Sequence, residues 1–272
     1  MPLIPIADLN DPRLQPFRQM KDRRLARSDG LFIAEGANVV DQLTTSTFQI
    51  HALLTAERFA DRYHQRLPPD TPIYVLPEPQ IEHVIGFKFH RGVIAAGRRQ
   101  PLAALDHVMA QHLGQTTWLI CPQIYDAENL GALIRIAAAF GVDGLILGPT
   151  CSDPLWRRTI RVSMGAVFHL PIVQSDDLER DLQRLHDQFN LTRIATVLDD
   201  AAQPLAATPR PDRVAILLGN EAIGLPSSVT DICDAKVTIP MNVGADSLNV
   251  AVAAAVCLYH FTQAAPANKH VN

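Results

Sequence analysis

From residue 116 to the C-terminus, short continuous apolar runs alternate with segments of helical spacing, and no other feature restricts the fold as much. TTWLICPQI, DGLILGP, HLPIVQ, RIATVL, RVAILLG and AKVTIPM read as strands. NLGALIRIAAAFG, PLWRRTIRVS, DDLERDLQRLHDQF, PSSVTDIC and SLNVAVAAAVCLYHF read as the helices among them. Strands that are apolar along their whole length need cover on both faces. The expected class is therefore α/β, with a parallel sheet between two helical layers.

The first hundred residues are less regular. GLFIAEG, PIYVLP and GVIAAGRR read as strands, and HALLTAERFADRYHQRL as a strand followed by a helix. PFRQMKDRRLAR and ANVVDQLTTS carry helical spacing, and PPDTP and PEPQ act as punctuation. This predicts a small α/β domain over 1–108, a linker over 109–115 within the helical stretch QPLAALDHVMAQHLGQ, and the larger domain over 116–272. Net charge is −4, but residues 13–27 hold Arg13, Arg18, Lys21, Arg23, Arg24 and Arg27 against Asp22 alone. On charge alone that local excess reads first as a solvated helix face, with phosphate contact as the alternative.

Other classes are disfavoured. The longest apolar run, NVAVAAAVCLYHF, is shorter than the roughly 20 residues that span a bilayer. The N-terminal residues lack the basic head and apolar stretch of a secretory signal. Cys121, Cys151, Cys233 and Cys257 are widely separated, which argues against a structural metal or a disulfide scaffold and favours a reducing cytoplasm. No G-x-G-x-x-G opens the first βα unit, and there is no G-x-x-x-x-G-K-[ST] or H-E-x-x-H.

Three segments depart from simple packing, each at the predicted carboxyl end of a strand, where open α/β sheets bind ligands. In YDAENLGALIRIAAAFG, Asp126 and Asn129 are placed to cap a helix, Gly131 permits close approach, and Arg135 sits among Leu133, Ile134, Ile136 and Ala137. Such a guanidinium must meet a carboxylate, a phosphate or a carbonyl, or else lie on a narrow exposed stripe. In AILLGNEAIGLP, a strand runs into Gly219, Asn220, Glu221 and Gly224, with Pro226 opening the next helix. This reads either as a ligand loop or as a tight turn with a capping glutamate. In TIPMNVGADSLNVAVAAAV, Ile239-Pro240-Met241 ends a strand, a loop bearing Gly244 follows, Ser247 is placed to cap the last helix, and Asn249 falls in its first turn.

In this order and spacing the segments resemble the signature of the SpoU branch of the SPOUT superfamily. N-x-G-x-x-x-R is met by Asn129, Gly131 and Arg135, and G-x-E-x-x-G by Gly219, Glu221 and Gly224. I-P-M…S-L-N-V is met by Ile239, Pro240, Met241, Ser247, Leu248, Asn249 and Val250. RVSMGAVFHLPI is similar to the family's middle segment. KDRRLARSDGLFIAEGANVVDQL and HRGVIAAGRR are similar to the ribosomal-protein-like substrate domain fused to many members. The resemblance implies an RNA ribose 2′-O-methyltransferase that uses S-adenosylmethionine, with a deep C-terminal trefoil knot and a homodimer. It implies catalytic roles for Arg135, Asn129, Glu221, Ser247 and Asn249. Cofactor contacts fall to Gly219, Asn220, Glu221, Gly224, Ile239, Met241, Ser247, Leu248 and Asn249. RNA contact falls to Arg18, Lys21, Arg23, Arg24, Arg27, Arg91, Arg98 and Arg99, with no metal.

Overall fold

The computed structural model describes residues 3–18, 30–89, 92–199, 201–220, 223–242 and 247–263. The chain forms two compact units, one of residues 1–101 with 153–169, the other of 102–152 with 170–272.

The first unit is built on a five-stranded mixed sheet in the order β1-β4-β3-β5-β2. Its strands are β1 (Leu3–Pro5), β2 (Leu31–Glu35), β3 (Ile50–Thr55), β4 (Ile73–Val75) and β5 (Val93–Arg98). β5 runs antiparallel to both its neighbours, whereas β1, β3 and β4 are parallel. Among the described residues before 102, α1 (Gln15–Arg18), α2 (Ala37–Thr44), α3 (Glu57–His64) and α4 (Glu78–Ile85) accompany them. Leu14, Phe17, Leu31, Ile33, Leu54, Ile81 and Ile94 form the centre of its core. The basic helix expected across PFRQMKDRRLAR is described only at 15–18. PEPQ, expected as punctuation, instead opens α4. Pro77 is its N-cap and Pro79 stands in the first turn, where a missing N–H leaves no bond unmade.

The second unit holds a seven-stranded, all-parallel sheet in the order β10-β12-β9-β11-β6-β7-β8. Its strands are β6 (Thr116–Cys121), β7 (Gly144–Leu147), β8 (Ile172–Gln174), β9 (Thr192–Thr196), β10 (Gln203–Pro204), β11 (Arg213–Leu217) and β12 (Ala235–Thr238). Its helices are α5 (Leu105–Gln111), α6 (Ala127–Ala139), α8 (Leu178–Asp187), α9 (Ser227–Thr230) and α10 (Val250–Gln263), while α7 (Arg157–Val162) belongs to the first unit. One sheet face, with Trp118, Ile120, Ile146, Ala215 and Leu217, packs with Leu105, Val108, Met109, Leu182 and Leu185 of α5 and α8. Helices α6 and α10 pack on each other. Strands β6, β7 and β11 are buried at every position except Arg213, which explains their apolar runs.

Two boundaries differ from the sequence expectation. The division falls at Pro101/Leu102, because α5 buries Leu105, Val108 and Met109 in the second core rather than linking two domains across 109–115. Residues 153–169, expected within the larger domain, belong to the first unit. Arg157 Nε and Nη2 donate to the buried Glu35 Oε2 at 2.9 and 2.7 Å, and its guanidinium lies 4.6 Å from the Phe87 ring centroid. Phe168 joins Phe32 and Phe48 in an aromatic cluster with centroids 5.5 to 5.7 Å apart. An apolar face in PLWRRTIRVS signals a helix but not which core receives it.

Candidate functional site

The carboxyl ends of β9, β11 and β12 open onto a cavity of about 420 Å³, within the roughly 300–1,000 Å³ usual for small-molecule sites. Thr196, Val197 and Leu198 form one side, Leu218, Gly219 and Asn220 another. Ile223, Gly224 and Leu225, then Ile239, Met241, Ser247 and Leu248, complete the rim, and Val250 and Ala253 of α10 close the wall. Seven residues expected to bind cofactor therefore share one cavity: Gly219, Asn220, Gly224, Ile239, Met241, Ser247 and Leu248. Glu221 and Gly244 lie outside the described residues.

The loop after β11 has a specific geometry. Asn220 N donates to Gly224 O at 3.1 Å, and Gly224 N donates to Asn220 O at 2.8 Å, which pinches the loop at its neck. A Cβ on Gly219 would sit 2.4 Å from Gly224 C and 2.6 Å from Leu225 N. The absence of a side chain at 219 is thus required by the loop's own closure. Gly224 has φ +69°, a left-handed value that favours glycine.

At the head of the cavity wall, Asn249 rather than Ser247 caps α10. Its Oδ1 accepts from Ala251 N at 2.9 Å, and its carbonyl accepts from Ala253 N at 3.0 Å. Ser247 lies two residues too early to cap and lines the cavity instead. The Asn249 Nδ2 donates to Asn129 Oδ1 at 3.1 Å, joining the first turns of α6 and α10. Asp126 caps α6, its Oδ1 accepting from Glu128 N at 2.6 Å and Asn129 N at 3.0 Å.

Arg135 answers the question its sequence raises. Leu133, Ile134 and Ala137 are fully buried, while Arg135 projects on the exposed stripe of α6, about 9 Å along the axis from Asn129. No hydrogen bond or ion pair holds it among the described residues. The charge is not buried and neutralises no internal carboxylate there.

The loop from β6 into α6 is heavily fastened. Gly148 N donates to Cys121 O at 2.9 Å, and Ser152 N donates to Ile124 O at 2.7 Å. Ser152 Oγ donates to Tyr125 O at 2.6 Å, and Ile124 N donates to Cys151 Sγ at 3.3 Å. Burial pushes the thiols of Cys121 and Cys151 up, keeping the Cys151 S–H as donor to Cys121 O at 3.1 Å.

In the first unit, Arg18 and Arg98 are exposed, and Arg98 Nη2 lies 3.0 Å from His51 Nδ1. Arg99 is engaged with Asp153, at 3.3 Å from Nη1 and 2.5 Å from Nη2. Lys21, Arg23, Arg24, Arg27 and Arg91 lie outside the described residues. Sequence reasoning did not find Thr196–Leu198. Their signal was present, since RIATVL ends a strand on the same sheet edge, but no glycine or polar motif marks it.

A parallel α/β sheet with a cavity over its carboxyl edge, walled by a pinched glycine loop and a capped terminal helix, defines a small-molecule-binding class of enzyme fold. Residues 117–259 match the SpoU rRNA methylase family, and the chain belongs to that family. It is 37% identical over 265 residues to an uncharacterised tRNA/rRNA methyltransferase of Mycobacterium bovis, spanning 95% of this chain and 91% of that protein. It is 35% identical over 182 residues to the 23S rRNA (guanosine-2′-O-)-methyltransferase RlmB of Acinetobacter baylyi, spanning 66% and 73%. The fold is shared with the AdoMet-bound rRNA methyltransferase of Sinorhizobium meliloti, at TM-score 0.82, 24% identity and 97% and 99% coverage.

Proposed function

We propose that this protein is an S-adenosylmethionine-dependent RNA ribose 2′-O-methyltransferase acting on ribosomal or transfer RNA. The observation that carries the reading is the cavity, which gathers the family-matched loops at 219–224 and 239–248 on one sheet edge. Its walls suit the cofactor: aliphatic side chains from Leu198, Ile223 and Leu248 for an adenine face, and backbone at Gly219 and Ile239 for hydrogen bonding. Bound there, S-adenosylmethionine supplies an electrophilic sulfonium methyl.

The remaining work falls to the chain. A ribose hydroxyl is a poor nucleophile until its proton is drawn away, and a guanidinium cannot take that proton near neutral pH. Arg135 therefore orients the ribose and its phosphate and stabilises negative charge on the oxygen as the proton passes to solvent water. Asn129 and Asn249, fixed on each other, offer amide groups to the same sugar. Glu221 and Ser247 supply further polar contact. Exposed Arg18 and Arg98 serve the RNA backbone with the basic residues at 21–27 and 91, and the 2′-OH requirement selects RNA. The reading includes a knotted C-terminal passage and a cytoplasmic setting.

Calorimetry tests the cofactor arm, with about one site per chain expected in the micromolar range, near −8 kcal/mol. Methyl transfer from labelled cofactor to RNA of a strain lacking the gene tests the rest, and mapping locates the nucleotide. Folded protein that binds no cofactor at millimolar concentration would sink the reading. Protein that binds RNA without transferring methyl would leave the alternative, a non-catalytic RNA-binding member of the fold.

The reading also includes a homodimer. On α10, Val252, Val256 and Tyr259 form an exposed apolar stripe at helical spacing, opposite the buried Ala254, Leu258 and Phe261. We expect sedimentation at twice the 29.9 kDa chain mass without RNA. A monomer at micromolar concentration would remove the dimer.

A further inference from the structure

We infer that Tyr125 is a stacking platform for an unpaired RNA base beside the methylated ribose. The inference rests on the proposed function and assigns a residue outside the motifs that support it. Tyr125 is 54% exposed, and its ring takes part in no aromatic contact among the described residues. An exposed tyrosine alone is unremarkable. Three further observations give this one a role.

The first is position. Tyr125 follows the carboxyl end of β6, and β6 pairs directly with β11, with Ile120 in register with Leu217. The β11 strand leads straight into Gly219 and Asn220 of the cavity, so the two loops leave the sheet one strand spacing apart, about 4.8 Å. The second is proximity to the polar pair. Asn129 is four positions after Tyr125, which bounds the distance between their α-carbons at about 14 Å, even for extended chain. That is within the span of a nucleotide and its neighbour. The third is rigidity. Backbone and side-chain bonds from Gly148, Cys151 and Ser152 pin residues 121–125, with Ser152 Oγ holding the Tyr125 carbonyl itself. Asp126 then locks the start of α6.

An aromatic ring on an immobilised backbone binds a flat ligand with little ordering cost. Here the ring is offered to solvent on the edge where RNA must enter. Bases splayed from single-stranded RNA stack on such rings whatever their identity, because each has a π-face. Stacking at Tyr125 would fix the strand so that the adjoining ribose lies between the Asn129–Asn249 pair and the cavity.

The test compares Tyr125→Ala and Tyr125→Phe with wild type, using ribosomal RNA and transfer RNA purified from a strain lacking the gene. Tyr125→Ala is expected to raise KM for RNA about 5- to 150-fold, the range of one lost base stack. Its kcat at saturating RNA, cofactor affinity and melting temperature should stay at wild-type values. Tyr125→Phe should restore KM, since the π-face and not the hydroxyl does the binding. RNA retention measured against salt gives a second signature. Tyr125→Ala should weaken binding without changing the slope, whereas Arg98→Glu should flatten it through lost phosphate contact. Wild-type KM in Tyr125→Ala, or a Phe variant as poor as Ala, would overturn the inference. So would a Tyr125→Ala protein that sediments as a lighter species, which would make the ring a contact between copies. If wild type retains RNA but transfers no methyl, the proposed function fails while the Tyr125→Ala difference in retention still decides this inference.

Discussion

Replacing Arg135 by alanine is expected to lower single-turnover methyl transfer about 10²- to 10³-fold, or about 3–4 kcal/mol, with the fold intact. The structure sharpens this expectation. A structural arginine paired with a buried carboxylate would cost roughly 3–5 kcal/mol of stability when truncated. Arg135 is exposed and has no such partner among the described residues, so its removal strands no internal charge. A surface change of this kind normally shifts stability by no more than about 0.5 kcal/mol. Cofactor affinity should hold, since Arg135 does not line the cavity. Arg135→Lys should fold and bind cofactor yet methylate poorly, because lysine keeps the charge and loses the planar fork. A melting curve read beside the transfer rate decides the matter. An Ala variant that methylates at near wild-type rate would refute the assignment.

Gly219→Ala should disable the cavity from within. The added methyl would lie 2.4 Å from Gly224 C and 2.6 Å from Leu225 N, and both are backbone atoms that cannot swing aside. The pinch between Asn220 and Gly224 must open, at a cost of about 1–3 kcal/mol for overpacking. Because Asn220, Ile223, Gly224 and Leu225 all line the cavity, the displaced loop should weaken S-adenosylmethionine binding at least about tenfold, or about 1.4 kcal/mol. Gly224→Ala separates clash from conformation. Its Cβ meets nothing within 4 Å, but its φ of +69° strains an alanine, and about 1 kcal/mol is expected. Calorimetry and melting on both variants test this, and wild-type cofactor affinity in Gly219→Ala would contradict it.

Much of this was legible in sequence wherever one physical demand dominated. The β6, β7 and β11 runs had to be covered on both faces, so their sequence gave away both the strands and the layers. The cavity loops were legible because glycine after a strand is conspicuous. Elements fixed by competition were less so. Ser247 and Asn249 are both good caps, and the choice depends on where helical dihedrals begin, which no single residue dictates. The apolar face of α5 was visible, but its receiving core was not. β1 and β10, of three and two residues, are too short to show a period. Thr196 reaches the cavity through strand order alone, with its Oγ1 donating to Leu217 O at 2.8 Å across the sheet.

The return of residues 153–169 to the first unit sets a limit on how this chain can be rebuilt. A recombinant cut at Pro101 would take Glu35 away from Arg157 and Phe32 away from Phe168. The excised piece would carry an unmatched carboxylate and bare aromatic rings. Exchange of the first unit between relatives by a single crossover would therefore yield mismatched halves. A working chimera needs three junctions, near residues 101, 152 and 169, so that the seventeen-residue segment travels with the sheet that holds it. Heredity has to treat these two stretches as one module, although residues 102–152 of the other unit stand between them.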